Sequence, residues 1–347
     1  MIADPVVRRL EQQVEAFAAM GSSLYARVTM RLLGDYRARG VTYDFFTNAP
    51  ERAGLSTPGV RLLGALHYLA LSGEAPQLAA HLPSCGGDGD AEAIWESVQE
   101  LLPEREARIG ALFVQTPQTN EVARATVLLA GLCAVAGETQ LPIRLFEIGA
   151  SAGLNSRLDR YRYEGDGWSW GDAASTLVLR NRTRAGAPAL IEKLPIAERA
   201  ACDLHPLDVR SAQDRTRLLS FVWSDQAERF ARLRAAFEVA QTVPLAVERA
   251  DMFSWLIDRV APKPGTATVV MHSVMTEHLS KDDRARLAAV IAGIGAAATA
   301  DAPFATVTME FGLESRLYET RVTLWPGAYS RLIARSDGHA QGIEWIV

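Results

Sequence analysis

The sequence predicts an α/β protein with an all-helical N-terminal part. From Val6 to about Val135, apolar residues recur at the spacing of amphipathic helices. After Pro142, short β-type runs alternate with long helical patterns, the order typical of parallel strands joined by helices. The chain has 347 residues, of which 48% are hydrophobic, so it can bury a full core. We therefore expect a helical N-terminal cap at residues 1–140 and an α/β domain at residues 141–347.

The predicted cap divides into helices at clusters of turn residues. Two helices are marked by apolar residues on one face, the first by Val7, Leu10, Val14, Phe17 and Met20 and the second by Ala26, Met30, Leu33 and Tyr36. Breaks are predicted at Asn48–Pro50, Ser56–Gly59 and Ser84–Asp90. The last break contains a Cys-Gly-Gly-Asp-Gly-Asp run, which we interpret as a linker between helices because no strand precedes it.

The α/β part is defined by β-type runs and long helical patterns. Strands are expected at Ile143–Ile148, Leu177–Leu179, Ala267–Met271 and Ala305–Met309, and helices at Asp225–Ala240 and Lys281–Ala298. Strand-like runs around Trp325-Pro326-Gly327 and Asp337-Gly338 indicate a hairpin, and hence antiparallel strands that complete the sheet. Residues 161–200 are expected to form an insertion.

Charge and cysteine content narrow the class of partner. The formal net charge is −5, so no excess of Lys and Arg is present to neutralise a phosphate backbone, and we expect no nucleic-acid partner. The three cysteines lie far apart, which favours a reducing compartment. Charged residues occupy the positions where a signal peptide needs an apolar segment, and the longest uncharged run, Leu287–Ala300, is too short to span a bilayer and is interpreted as a buried helix. We therefore expect a cytoplasmic protein with a small-molecule substrate and no membrane contact.

The stretch Phe146–Asn155, "FEIGASAGLN", matches two different motifs. Read as G-x-S-x-G, it is the nucleophile elbow of a serine hydrolase, with Ser151 as the nucleophile. The acid of the triad would then be Asp251 or Asp301 and the base His339. An elbow normally follows several strands of its sheet, whereas this motif follows the first predicted strand. That position disfavours the hydrolase.

The same stretch can form the glycine turn of a nucleotide-binding strand, loop and helix. Glu147 ends the strand, Gly149 permits a tight turn, and Ser151 with Gly153 would let the start of a helix approach a ligand. Asn155 follows within the same predicted site. The full G-x-G-x-x-G dinucleotide fingerprint is absent, so NAD is disfavoured.

Polar residues also follow the later predicted strands. Asp203 ends the second strand of the sheet, where a carboxylate can hold both ribose hydroxyls. Asp251 and Met252 end the third, where they can face an adenine ring. His272 ends the fourth and is the expected general base, and Glu310 ends the next as a candidate acceptor-site group. The histidine spacing matches no standard pair of metal ligands, so no metal site is expected.

A set of landmarks from about Pro117 onward resembles the bacterial domain-of-unknown-function 2332 family. They are, in chain order, "TNEVAR", "EIGASAGLNSRLDRYRYEG", "WGDAAS", "CDLHPLD", "FVWSDQAERFARLRAA", "MHSVMTEHL", "TVTMEFG" and "LWPG". The family is uncharacterised, and the resemblance implies a Rossmann-like sheet similar to that of the S-adenosylmethionine-dependent methyltransferases. It therefore implies S-adenosylmethionine as cofactor and methyl transfer to a small molecule. A catalytically inactive module that binds S-adenosylmethionine or a nucleotide, and a serine hydrolase that uses Ser151, are the alternatives.

Overall fold

Residues 4–346, which the computed structural model describes, fall into two units. The first comprises the chain up to Thr119 together with Ala212–Ala231, and the second comprises Asn120–Ser211 and the chain from Arg232 onward. This division differs from the predicted boundary at residue 140. The difference arises because the helix Ala125–Thr139 packs on the sheet, while residues 212–231 pack among the helices of the first unit.

The first unit is helical in its described part, as the sequence predicts. Its helices are α1 (Pro5–Ala19), α2 (Ser23–Arg37), α3 (Val41–Thr47), α4 (Pro50–Gly54), α5 (Pro58–Leu71), α6 (Pro76–Ala79), α7 (Ala91–Glu104) and α8 (Glu106–Phe113); α9 (Ala125–Thr139) lies in the second unit, and the chain returns to the first for α10 (Ala212–Ser220). The Asp4 side chain accepts a hydrogen bond from the Val6 N–H and so caps α1. Leu10 and Phe17 on the same helix are buried in the core, whereas Met20 is exposed.

The remaining helices and the strands belong to the second unit, except that the start of α11 lies in the first. The helices are α11 (Ala227–Thr242), α12 (Met252–Arg259) and α13 (Lys281–Ala296). The strands are β1 (Ile143–Ile148), β2 (Arg162–Gly165), β3 (Trp168–Trp170), β4 (Val178–Leu179), β5 (Thr183–Ala185), β6 (Ile196–Asp203), β7 (Val247–Arg249), β8 (Ala267–Ser273), β9 (Phe304–Phe311), β10 (Tyr318–Trp325), β11 (Tyr329–Ser336) and β12 (Ile343–Trp345). Nine of them form one mixed sheet in the order β5-β12-β11-β10-β9-β8-β1-β6-β7, and β2, β3 and β4 form a smaller sheet.

The strand order of the large sheet reverses beside β1. The strands β7, β6, β1, β8 and β9 run parallel, and β10, β11 and β12 continue the sheet in antiparallel fashion, which confirms the predicted C-terminal hairpin. From β1 the chain first adds β6 and β7 on one side and then β8 and β9 on the other. In open parallel sheets, ligands bind outside the carboxyl ends of the strands at such a reversal.

Helices cover both faces of the sheet. α9 packs so closely on β9 that a Cβ at Gly131 would lie 2.5 Å from Val307 Cγ1. α12 and α13 form a core cluster that includes Phe304, and because side chains alternate along a strand, Phe304 and Val307 face opposite sides. Only Leu287 and Gly295 of α13 are buried, so the prediction of a buried helix at this position is wrong.

The chain between β1 and β6 is tied to the main sheet. β6 starts at Ile196, which is paired with β1, so the insertion predicted at residues 161–200 ends earlier than expected. Tyr161 and Tyr163 are fully buried, and the hydroxyl of Tyr161 donates to the Leu154 carbonyl at 2.5 Å. These aromatic residues of the insertion therefore pack in the interior.

The most apolar helical stretch runs through α9. Val122–Thr139 is long and apolar enough to cross a membrane, but 72% of it is buried inside the structure. Burial of this kind is typical of the core helix of a soluble protein. The cytoplasmic location stays a prediction.

Candidate functional site

The predicted site residues gather at one edge of the sheet. The glycine turn follows β1, Asp203 ends β6, Asp251 follows β7, and His272 and Glu310 lie near the ends of β8 and β9. These five strands are parallel, so their carboxyl ends share an edge. This edge includes the point at which the strand order reverses.

The turn after β1 has a left-handed backbone. The φ angles are +62° at Gly149, +54° at Ser151 and +67° at Gly153. A Cβ at Gly149 would lie 2.7 Å from Met275 Cγ, so this position needs glycine for space as well as for conformation. The element that follows is a 3₁₀-helix of 6 residues, Asn155–Arg160, and the prediction that Ser151 begins a helix is wrong.

The backbone N–H groups of this turn are bound within the protein. The N–H groups of Ala152 and Leu154 both donate to Asn120 Oδ1, at 3.2 and 3.1 Å. The N–H of Ser151 donates to Asp203 Oδ2 at 2.8 Å. The N–H groups of Ala150 and Gly153 donate to the carbonyls of Cys202 and Ala150, at 3.1 and 2.7 Å. A phosphate cradle or an oxyanion hole needs such groups to point at the ligand. The turn is therefore built to be rigid and does not offer these N–H donors to an anion.

Two buried ionisable side chains, Arg157 and Glu147, form hydrogen bonds with residues in the turn or next to it. Arg157 is 1% exposed and donates to the carbonyls of Ala152 and Gly153 at 3.3 and 2.7 Å. Glu147 is also buried and accepts a hydrogen bond from the Ser156 hydroxyl. Burial raises the pKa of Glu147 to about 7, against the lowering effects of the Ser156 hydrogen bond and the Arg157 charge. Both side chains thus act on the shape of the turn.

Two polar atoms beside the turn have no hydrogen-bond partner among the described residues. They are Ser151 Oγ and Asn155 Oδ1, and both are buried. Buried polar atoms are normally satisfied, so unpaired ones are candidates for contact with a ligand. A cavity of about 150 Å³ adjoins the turn and is lined by Ala152, residues 206–210 and residues 245–247.

His272 and Glu310 form a hydrogen-bonded pair. Nδ1 of His272 lies 2.7 Å from Oε1 of Glu310, which also accepts from the Met275 N–H at 3.1 Å, while Oε2 accepts from the Thr276 hydroxyl at 2.7 Å. Burial alone would raise the pKa of Glu310, but the hydrogen bonds from His272, Thr276 and Met275 lower it below its usual value. The carboxylate is therefore ionised at neutral pH.

The ionised carboxylate determines the tautomer of His272. Because a carboxylate only accepts hydrogen bonds, Nδ1 of His272 must carry a proton, so in the neutral imidazole Nε2 holds the lone pair. No described residue forms a hydrogen bond with Nε2. The arrangement can accept a proton at Nε2, with Glu310 stabilising the resulting imidazolium.

The glycine turn and the His–Glu pair approach each other from opposite faces of the sheet. Glu147 is in register with Met271 on the neighbouring strand, so these two side chains share a face and His272 points to the other. The two groups meet at the edge, where Met275 lies against Gly149. The structure therefore brings His272 and Glu310 together but leaves Glu147 on the other side.

The loop after β8 contains a strained residue. Val274 has φ +52°, which is unusual for a β-branched side chain, and its N–H donates to the Met309 carbonyl at 2.8 Å. This conformation directs the following amides of Met275 and Thr276 to Glu310. Backbone strain is often retained at functional sites, which supports this loop as part of the site.

Asp251, Met252 and Asp203 have structural contacts in addition to their predicted roles. Asp251 Oδ1 accepts from the N–H groups of Phe253 and Ser254, both at 3.2 Å, and so caps α12. Asp203 accepts from the His205 N–H at 2.8 Å besides the turn. Met252 is half-buried against the α12 core cluster. Their contacts with adenine and ribose stay predictions.

Two residues of the alternative hydrolase triad, Asp301 and His339, lie apart from Ser151, and the other candidate acid, Asp251, caps α12. Asp301 precedes β9 and so lies at the opposite edge of the sheet from Ser151. His339 follows β11, which is four strand positions from β1, or roughly 19 Å at the usual strand spacing. The N–H of Ala152, which an elbow would use for the oxyanion, donates to Asn120 instead.

Sequence reasoning missed several residues that hold the site. Asn120 binds two N–H groups of the turn from a segment that precedes α9. Its one signal is its place in the "TNEVAR" landmark. Ser156 and Arg157 directly follow the predicted Asn155, and Thr276 comes four residues after His272, but no spacing rule connects them with the buried carboxylates and carbonyls that they bind.

Fold and site together define an α/β protein whose mixed sheet has a glycine turn and a His–Glu pair at the carboxyl ends of its parallel strands. The family model described as "Uncharacterized protein conserved in bacteria (DUF2332)" matches residues 7–345. The chain belongs to this family, which confirms the resemblance inferred from its landmarks. No curated protein and no solved structure matches it.

Proposed function

We propose that this protein transfers a methyl group from S-adenosylmethionine to a small molecule. The observation that carries the proposal is the His272–Glu310 pair, 2.7 Å apart at the carboxyl edge of the sheet. A histidine whose Nδ1–H is bound to an ionised carboxylate can take a proton through Nε2, as a general base must. Methyl transfer uses such a base where the acceptor, for example a hydroxyl, must lose a proton.

The order of the parallel strands supports a Rossmann-like sheet. Numbered along the chain within the parallel part, the strands lie in the order third, second, first, fourth, fifth. The doubly wound nucleotide-binding folds share this order, and they bind their ligands where it reverses. The glycine turn and the loop of Val274 and Met275 flank that point.

The chemistry of the turn fits S-adenosylmethionine better than a phosphate-bearing cofactor. The N–H groups from Ala150 to Leu154 are used internally, and S-adenosylmethionine carries a sulfonium and no phosphate. The carboxylate of Asp203 at the turn favours a cation. The unpaired Ser151 Oγ and Asn155 Oδ1 can hydrogen-bond its polar groups.

The mechanism assigns one task to each group. When bound, S-adenosylmethionine supplies a methyl group already activated for displacement, so no protein nucleophile is needed. The glycine turn would shape the methionine side, Asp203 would hold the ribose, and Asp251 with Met252 would face adenine. His272 removes a proton from the acceptor, and Glu310 orients the imidazole and stabilises its charged form.

Ligand-dependent unfolding temperatures test the proposal. S-adenosylhomocysteine should raise the unfolding temperature of the full chain, whereas ATP and NAD should not, because the turn has no N–H groups for their phosphates. His272→Gln should keep the shift and lose methyl transfer, because it lies on the acceptor side. No shift with millimolar S-adenosylhomocysteine would contradict the proposal, and binding without turnover on a broad acceptor panel would favour the inactive binding module.

One observation favours the serine hydrolase as a second candidate. Ser151 has a left-handed backbone, φ +54°, like the strained serine of a nucleophile elbow. Its Oγ is buried without a histidine partner, so we expect no reaction with a fluorophosphonate probe. Labelling that disappears in Ser151→Ala would reverse the ranking of the two candidates.

A further inference from the structure

The second unit contains a larger cavity away from the His272–Glu310 pair. Its volume is about 550 Å³, within the usual range of small-molecule sites. It lies between α9, the segment 187–191 and the strands β11 and β12, which are four and five strand positions from β1. Most of its wall is apolar and includes Ala130, Ala134, Leu190 and Ile333.

Two hydrogen-bond donors on this wall have no acceptor. Nε of Arg331 and Nε1 of Trp345 are buried and unpaired among the described residues, and both side chains line the cavity. No lining side chain within residues 4–346 has an unpaired buried acceptor that could match them. Because buried donors are normally satisfied, a molecule in the cavity would have to supply acceptor atoms.

Arg331 has a guanidinium that is available for a carboxylate. Its one described ion-pair partner is Glu138, with Nη2 and Oε2 separated by 3.6 Å, which is longer than a hydrogen bond. The Arg331 and Glu138 side chains are 39% and 38% exposed, so the polar end of the cavity reaches solvent. A guanidinium pairs best with a planar anion that it can hold with two parallel hydrogen bonds.

A buried thiol also lines the cavity. Cys133 is the nucleophile on its wall, and burial raises the pKa of this thiol to about 11. The thiol therefore stays protonated and unreactive at neutral pH.

We infer that this cavity binds a molecule with an apolar body and a terminal carboxylate. The apolar body lies against α9 and the segment 187–191, and the carboxylate accepts from Arg331 Nε and Trp345 Nε1. This site and the His272–Glu310 site are independent, and neither requires the other.

Calorimetric titration of the full chain with decanoate, decanol and decylamine tests the inference. Decanoate should bind with one site per chain, decanol at least tenfold more weakly and decylamine not at all. Arg331→Met should weaken decanoate binding at least tenfold, and Ala134→Phe should abolish it by filling the cavity. Arg335→Met, on the same strand but paired with Glu319, should leave binding unchanged.

Three results would overturn the inference: no decanoate binding, equal binding of decanoate and decylamine, or equal effects of Arg331→Met and Arg335→Met. Trp345→Phe provides a second variant that keeps the ring and removes only the Nε1 donor. It should weaken decanoate binding several-fold, even if Arg331→Met does not fold. Unchanged decanoate affinity in Trp345→Phe would also contradict the proposed contact.

Discussion

Glu147 is a buried carboxyl whose charge destabilises the folded state at high pH. Its pKa is raised to about 7 by burial, above the ordinary value of 4.5. For a raised pKa, stability is fully present below the unfolded value and is lost as pH rises through the folded value. We therefore expect Glu147→Gln to stabilise the protein by less than about 1 kcal/mol at pH 5 and by about 3 kcal/mol at pH 8.5, since one pKa unit corresponds to about 1.4 kcal/mol.

Urea unfolding of wild type and Glu147→Gln at both pH values measures this effect. Glu192→Gln is the matched control, because Glu192 is exposed in the same unit. The control should show no pH-dependent difference. A Glu147→Gln variant whose effect on stability is the same at pH 5 and pH 8.5 would show that the pKa of Glu147 is not raised in the folded protein.

His272 and Glu310 show what sequence could predict about the site at the level of single residues. Each follows a β-type run, so its place at the carboxyl edge follows from the parallel arrangement of the strands. The hydrogen bond between them depends on register, which pairs His272 with Thr308 two residues before Glu310. Register was not predicted, and for the same reason the position of Glu147 on the opposite face was missed.

At the scale of elements, the close packing of α9 on the sheet leads us to expect opposite effects of alanine at two helical glycines. Gly131 and Gly293 are both in helix interiors, but a Cβ at Gly131 would lie 2.5 Å from Val307 Cγ1, whereas Gly293 has nothing within 4 Å. Gly131→Ala should destabilise the protein by about 1 to 3 kcal/mol through overpacking. Gly293→Ala should stabilise it by about 0.5 to 1 kcal/mol through helix propensity.

Denaturant unfolding of the two alanine variants checks this pair. Each serves as the control of the other, because the substitution is the same and only the surroundings differ. If both variants are stabilised to a similar extent, α9 does not pack on β9 as closely as described.

Sequence patterns predict the elements whose side chains are mostly buried, and they fail for elements whose side chains are largely exposed. β1 was predicted with its exact bounds because nearly all of its side chains are buried. Leu287–Ala300 looked like a buried helix because Ala and Gly count as apolar, yet small residues are also tolerated on an exposed face. The start of β6 was missed because Ile196 is followed by Glu198 and Arg199, which are only partly buried or exposed.

At the scale of the whole molecule, the sequence predicts that the chain has two parts but not which segments belong to each part. The segment Ala212–Ala231 belongs to the first unit although it lies between β6 and β7 of the second. No local pattern marks this return, because the same amphipathic helix could pack on either unit. The contact of Asn120 with the glycine turn is likewise long-range and has no local signal.

A crystal structure of the protein with S-adenosylhomocysteine is the most direct test of the central claim. We expect the ligand at the carboxyl ends of β1 and β8, with its ribose on Asp203 and its sulfur on the side of the edge that His272 faces. The N–H groups of the turn should keep their bonds to Asn120 and Asp203. A ligand bound elsewhere, or a turn that opens to bind a phosphate with these N–H groups, would contradict the account.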